Sequence, residues 1–321
     1  TELELDQEKA ENSKRLTIIW ASFGCLLLLG GAIVLLIQRN RIKQKANEEL
    51  SEQRDEIAFQ KKEVEIQRDI VNEKNQEILD SITYAKRIQA AILPPRKLVK
   101  EYLTNSFILY KPKDIVAGDF YWLEPTNEKV FFAAADCTGH GVPGAMVSVI
   151  CNGGLNRSVR EFGLTQPGEI LDKTRELVIK EFEKSEEEVK DGMDVALCSL
   201  EGMKLEYSGA NNPLWIVRGC EVLETKANKQ PIGKYDNAEP FTTHSIQLQP
   251  GDCLYIFSDG FVDQFGGERG KKFKVKNFRE LLISIQSESM SRQKELLNDA
   301  FEKWRGDLEQ VDDVCIIGVR I

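Results

Sequence analysis

The sequence predicts an α+β domain built in layers, preceded by a transmembrane helix and a coiled-coil helix. Three observations carry this. An uncharged run of 22 residues lies near the N-terminus; a stretch without Gly or Pro follows it, with an apolar residue every seventh position; and the rest of the chain alternates short apolar runs with turn residues. Hydrophobic residues make up 41% of the 321 residues and charged ones 30%, enough for a sizeable core and against wholesale disorder. The formal net charge of −9 argues against nucleic-acid binding by bulk charge. The seven cysteines are scattered and form no CxxC pair. A disulfide framework or zinc site is therefore not expected, and a reducing compartment is.

Leu16 to Ile37 is the uncharged run. At about 1.5 Å per residue it would span roughly 33 Å as a helix, enough to cross a bilayer core of about 30 Å. A signal peptide and a buried core helix are the competing readings. Against the first, the run ends in Gln38-Arg39-Asn40-Arg41 and shows no small-residue cleavage site. Arg39, Arg41, Lys43 and Lys45 follow the span, whereas residues 1–15 hold five acids and three bases. The positive-inside bias then places the C-terminal bulk in the cytoplasm, on a single-pass protein of the cytoplasmic membrane. Residues 1–15 read as a short extracytoplasmic remnant. The chain begins with Thr, which suggests a fragment or processed product whose upstream sensor is missing.

Residues 38–93 hold 11 bases and 11 acids, and Leu50, Ile57, Val64, Val71, Ile78, Ala85 and Ile92 recur at intervals of seven. That spacing predicts a coiled coil and a homodimer. The companion seam, Ala46, Gln53, Gln60, Gln67, Lys74, Ser81 and Ile88, is mostly polar, so the pairing should be weak and adjustable. A solvated single helix is the alternative. Pro94-Pro95 should stop the helix at Leu93.

Residues 94–321 carry the remaining −7. Strands are expected at Phe107–Tyr110, Phe120–Leu123, Val130–Ala135, Val195–Leu200, Lys204–Ser208, Leu214–Arg218, Ser245–Leu248, Cys253–Phe257 and Val314–Val319. Helices are expected at Gly144–Arg160, Gly168–Lys184, Asn277–Ile285 and Arg292–Trp304. Several strands are separated by hairpin-length gaps, which favours antiparallel sheets over a doubly wound fold.

Several aspartates end or begin these apolar strands. Asp119 follows Val116-Ala117-Gly118, Asp136 ends Val130–Ala135, Asp259 ends Leu254–Ser258, and Asp312 and Asp313 precede Val314. A carboxylate beside a buried strand needs a partner, and Lys and Arg are nearly absent beside these acids. A hard divalent cation such as Mg²⁺ or Mn²⁺ fits. Two ions bridged by a carboxylate would activate water and neutralise a phosphoryl oxygen. Each Asp could alternatively be a turn former or a helix cap. Asp136 opens Asp136-Cys137-Thr138-Gly139-His140-Gly141, a glycine-rich turn that permits close backbone approach. His140 invites a catalytic role, with a hydrogen bond inside the turn as the alternative, and His244 reads as structural.

Ala133 to Gly141, preceded by Val116-Ala117-Gly118-Asp119-Phe120 and followed by Ser258-Asp259-Gly260 and Asp312-Asp313, resembles the SpoIIE-like (RsbU-like) serine/threonine phosphatases of the metal-dependent PPM superfamily. The resemblance covers about residues 80–321. It implies a four-layer αββα sandwich over 94–321, two Mn²⁺ or Mg²⁺ ions, and hydrolysis of phosphoserine or phosphothreonine by a metal-activated water. Carried over by position, Asp136 would bridge both metals. Asp119, Asp259 and Asp312 would complete the site, with the Cys137 carbonyl a further ligand and Asp313 the weaker member of its pair. Ser81 to Pro94 would be the regulatory helix, and a phosphorylated anti-sigma-factor antagonist the substrate. Asn211 stands where relatives carry His, read as altered surface packing. Asp191 and Asp194 lie near a third-metal position of some relatives. A non-catalytic dimeric signalling scaffold is the rival reading, and another two-metal hydrolase acting on small phosphate esters a third.

Overall fold

The computed structural model describes residues 2–126, 128–184 and 190–321; Thr1, at the head of the segment read as extracytoplasmic, lies outside them. The chain divides into two compact units, Thr1–Glu77 and Ile78–Ile321.

Helix α1 runs over Glu2–Ile92. It is long and apolar enough to cross a membrane, and large apolar side chains from Leu16 to Ile37 are exposed. The heptad residues Leu50, Ile57, Val64, Val71 and Ile78 are also exposed, whereas Ala85 and Ile92 are half-buried.

The second unit is built on two five-stranded antiparallel sheets. In chain order the strands are β1 Ser106–Lys111, β2 Phe120–Pro125, β3 Val130–Cys137, β4 Met193–Glu201, β5 Lys204–Ala210, β6 Leu214–Arg218, β7 Glu221–Thr225, β8 His244–Gln247, β9 Cys253–Phe257, β10 Phe265–Gly266, β11 Lys271–Lys272 and β12 Val314–Arg320. The helices are α2 Arg96–Tyr102, α3 Gly141–Arg160, α4 Pro167–Phe182, α5 Gly260–Asp263, α6 Val275–Ile285 and α7 Met290–Arg305. One sheet has the order β1-β12-β9-β6-β7 and the other β2-β3-β4-β5-β8, while β10 and β11 form a small separate hairpin.

Strand alternation generates the layers. In β3, Phe131, Ala133 and Ala135 pack with Leu155 of α3 and Leu171 of α4. The intervening Phe132 and Ala134 face the other sheet, meeting Leu254 and Ile256 of β9 and Ile317 of β12. In β9, Tyr255 and Phe257 turn the other way, onto Phe278 of α6 and Phe301 of α7. Three apolar clusters thus separate four layers, helices–sheet–sheet–helices. Strands buried on both faces read as continuous apolar runs, so their ends are where polar residues collect.

Four features depart from the expected pattern, one of them the short helix α5 directly after Asp259. Pro94-Pro95 ends α1 as predicted, yet Pro95 also stands at the N-cap of α2 with extended backbone, its carbonyl accepting the first helical N–H, from Val99, at 3.2 Å. Strand β7 is mostly exposed; it closes on β6 through a turn in which Gly219 takes φ 57°. The short β10–β11 hairpin is a further addition.

Candidate metal centre and active site

The two sheets deliver their aspartates to one end of the sandwich. On the first, β3 and β4 pair antiparallel with Asp136 directly opposite Asp194. The β2–β3 register pairs Phe120 with Ala135, so Asp119 comes one step beyond, beside Asp136. On the second sheet, Ile316 of β12 pairs with Phe257 of β9. Continuing that register brings Asp312 and Asp313, ahead of β12, to the turn that holds Asp259. The Ser258 N–H donates to the Cys315 carbonyl at 2.9 Å, and the Cys315 N–H donates back to Ser258 Oγ at 2.9 Å. These two bonds fix the turn.

A pocket of about 290 Å³ opens at this end, lined by Asp136, Cys137, His140, Lys190, Asp194, Asp259 and Asp312 among others. Several carboxylates at this end are held away from their usual protonation. Burial pushes Asp136 up to about 8, with repulsion from Asp259, Asp312 and Asp194 adding to it. Burial, then Asp263, Asp312 and Asp194, push Asp259 up to about 6. Asp119 is raised well above the carboxylate range by burial and by Asp136, opposed in part by a hydrogen bond from Ser258. Asp119 is only 2% exposed, yet its Oδ2 has no hydrogen-bond partner. Buried carboxylates facing one another, one with an orphaned oxygen, lack positive charge.

A hard divalent cation suits this donor set, which is all oxygen apart from the rim. As they stand, no three Asp, Glu, His or Cys side chains among the described residues form a closed ligand cluster. Their backbones converge while like-charged side chains remain apart, and the orphaned Asp119 oxygen and the crowded Asp136 fit a cation.

Asp313 behaves differently from the other acids. Its carboxylate is buried and accepts the N–H of Lys113 at 2.7 Å, of Gly118 at 2.6 Å and of Asp119 at 3.4 Å. It does not line the pocket and instead clamps the loop that carries Asp119. Asp194 lines the pocket and Asp191 does not. Asn211 is a correction: rather than merely altering surface packing, it takes φ 55° and donates from Nδ2 to Asp194 Oδ1 at 2.8 Å. A left-handed backbone suits Asn, and it joins this residue to the acidic wall.

Backbone packing explains the glycines. A Cβ on Gly118 or Gly144 would collide with the Gly139 carbonyl. Only side-chain-free positions let the Asp119 loop, the Asp136 turn and the start of α3 stack. His140 precedes α3; its Nδ1 lies 2.9 Å from Asp114 Oδ2 and its Nε2 3.0 Å from Lys113 Nζ. An ammonium can only donate, so Nε2 accepts and Nδ1–H donates to Asp114. Both ring nitrogens are therefore engaged.

Of two further positions near the site, Lys190 escaped the sequence reading and Gln89 entered it only as part of the helix read as regulatory. Lys190 lines the pocket, a cation preceding β4 with no motif around it. Gln89, near the end of α1, is buried. Its Oε1 accepts the Ala117 N–H at 3.1 Å, and its Nε2 donates to Ser148 Oγ at 3.0 Å and to the Ala117 carbonyl. It thus holds the backbone two residues before Asp119. Among the polar positions of a charged helix, no spacing marks it out.

Comparison with known proteins agrees with this geometry. Residues 126–321 match the family described as Stage II sporulation protein E (SpoIIE). A search of curated proteins found no match. Among solved structures, the SiaA-PP2C domain of Pseudomonas aeruginosa is 31% identical, with a TM-score of 0.71, over 77% of this chain and 98% of that one. The PP2C phosphatase domain of SpoIIE from Bacillus subtilis, solved with a fragment of its regulatory domain, shares the fold at 20% identity and a TM-score of 0.55, over 67% of this chain and 62% of that one. The RsbU and RsbW domains of a Mycobacterium tuberculosis protein do so at 21% identity and 0.52, over 67% and 59%. With its acids gathered at one end of a two-sheet sandwich and this match over most of the folded unit, the chain belongs to the SpoIIE family, whose solved relatives are PP2C-type phosphatase domains.

Proposed function

We propose that the chain is a membrane-anchored, metal-dependent protein serine/threonine phosphatase of bacterial signal transduction, with its catalytic domain over residues 94–321 in the cytoplasm. The observation that carries this is the convergence of Asp136, Asp194, Asp259 and Asp312 on one pocket, backed by the orphaned oxygen of Asp119. Asp119, Asp136, Asp259 and Asp312 would hold two Mg²⁺ or Mn²⁺ ions, with the Cys137 carbonyl adjoining. Such ions would supply Lewis-acid activation of a water and neutralisation of the phosphoryl oxygens. Asp313 keeps the Asp119 loop in place through its three backbone N–H bonds. Lys190 offers the pocket a positive charge for the phosphate. The start of α3, with no side-chain cap on its first N–H groups, adds a positive dipole end beside the Asp136 turn.

The substrate is a phosphorylated protein, of the anti-sigma-factor antagonist class by the chain's kinship. The exposed heptad residues of α1 would pair two copies, and the last turns of α1 would pass a signal to the site.

The test is phosphoserine release from phosphoprotein substrates by the full chain in detergent, with Mn²⁺, with EDTA, and as Asp136→Asn. Activity is expected with Mn²⁺ and lost in both other cases. Release that persisted through chelation and substitution alike would overturn the metal mechanism. Inactivity of the wild type across several phosphoproteins would favour the dimeric scaffold reading.

A further inference from the structure

A second cavity, of about 460 Å³, lies away from the acidic pocket between α2, β1 and α7. Three features set it apart. The first is an open strand edge. Strand β1 ends its sheet, pairing only with β12. The Arg320 N–H donates to the Asn105 carbonyl at 2.8 Å. Antiparallel pairing alternates, so the main-chain groups of Phe107 and Leu109 turn toward β12 and those of Ser106, Ile108 and Tyr110 turn outward. Lys100 Nζ covers the Ser106 carbonyl. The Ile108 N–H and carbonyl have no partner among the described residues. Edges left open in this way are ready to pair with another chain.

The second feature is charge. Arg96, Lys100 and Lys294 line the cavity, and none pairs with an acid among the described residues. Its one acid, Glu295, is taken by Arg292 at 2.8 Å. Burial lowers the Lys294 ammonium, and Arg96 and Lys100 lower it further. A cluster of unneutralised cations stands out in a domain that is otherwise acidic. The third feature is an apolar wall, in which Val99 and Ile108 lie beside the rings of Tyr110 and Tyr121, stacked edge to face at 5.5 Å.

We propose that this groove docks an acidic, extended segment of a partner protein, which adds as a strand to the free edge of β1 with its carboxylates against Arg96, Lys100 and Lys294. Main-chain bonds would give affinity, and alternating side chains would give specificity. Ser106 to Tyr110 offers a ledge of roughly 16 Å at about 3.3 Å per residue, which suits a peptide better than a single anion. One wall of the groove touches the loop that carries Asp119, since Tyr110 OH donates to the Asp119 carbonyl at 3.0 Å. The docking itself does not depend on the phosphatase reading.

The experiment uses the full chain in zwitterionic detergent and a fluorescent peptide of alternating Glu with Ile or Val. Salt-sensitive binding is expected, with amide exchange slowed at the outward-facing Ser106, Ile108 and Tyr110. The double variant Arg96→Glu, Lys294→Glu, with an unchanged melting temperature, should bind roughly tenfold more weakly or worse. A peptide with a central Pro should also weaken, because it lacks the N–H that the strand edge needs. Equal binding of the Pro peptide, or exchange at Ser106, Ile108 and Tyr110 that the peptide leaves unchanged, would overturn strand addition. Displacement of the peptide by inorganic phosphate alone, or preferential capture of the chain by anionic vesicles, would reassign the groove to a simple anion or a lipid surface and overturn the proposal.

Discussion

Asp136 is held at a disadvantage by its own fold. Burial and three neighbouring carboxylates raise it to about 8, against about 3.9 in an unfolded chain. A carboxyl raised on folding lends stability below its unfolded value and loses that contribution as pH rises through the folded value. The cation-free protein is therefore expected to melt at falling temperature as pH rises from about 4 to about 8, and added Mg²⁺ or Mn²⁺ should reverse the trend. Asp136→Asn should raise the cation-free melting temperature at pH 8 by several degrees, at about 2–4 °C per kcal/mol for a domain of this size, and should blunt the rise on adding metal. Thermal melts with EDTA and with Mn²⁺ check both; a variant that melts lower than the wild type without cation would refute the account. This tension was partly legible in the sequence, because an acid ending an apolar run has few other uses. Asp194 was only a weak suggestion there. What settles its place is the register that sets it opposite Asp136, a relation between residues 58 positions apart that no local pattern encodes.

At the scale of elements, the last turn of α1 matters through Gln89. Replacing Gln89 with Ala would strand the Ala117 N–H, a buried donor, at about 1–3 kcal/mol. The expected result is a lower melting temperature together with weaker Mn²⁺ activation, since Asp119 lies two residues on. Gln89→Glu, which keeps an acceptor for that N–H, should restore more of the Mn²⁺ activation than Gln89→Ala. A loss of stability with an unshifted Mn²⁺ dependence would leave Gln89 a packing residue only. Elements were largely readable from the sequence where burial on two faces produced apolar runs, as in β3 and β9. They were missed where the chemistry was ambiguous. Strand β7 has the polar surface of an exposed edge, and α2 begins on the proline that ends α1, so one signal served two boundaries.

At the scale of the whole chain, the exposed heptad stripe from Leu50 to Ile78 runs along α1 beside a companion seam of mostly polar residues. Replacing Gln53, Gln60 and Gln67 with Leu should strengthen self-association and fix one pairing. Ultracentrifugation in detergent should then show a tighter dimer, and phosphate release should move away from the wild-type basal rate. A confirmed dimer with unchanged basal activity would count against the helix as a switch.

Asp119, Asp136 and Asp194 arrive on one sheet, Asp259 and Asp312 on the other, and the apolar layer between the sheets alone brings them face to face. A chain with only one sheet formed would own half a chelator. Divalent-ion affinity in this protein should therefore act as a readout of completed assembly, blind to either half alone, and small substitutions between the sheets, far from any carboxylate, should register first as a weaker grip on the ion.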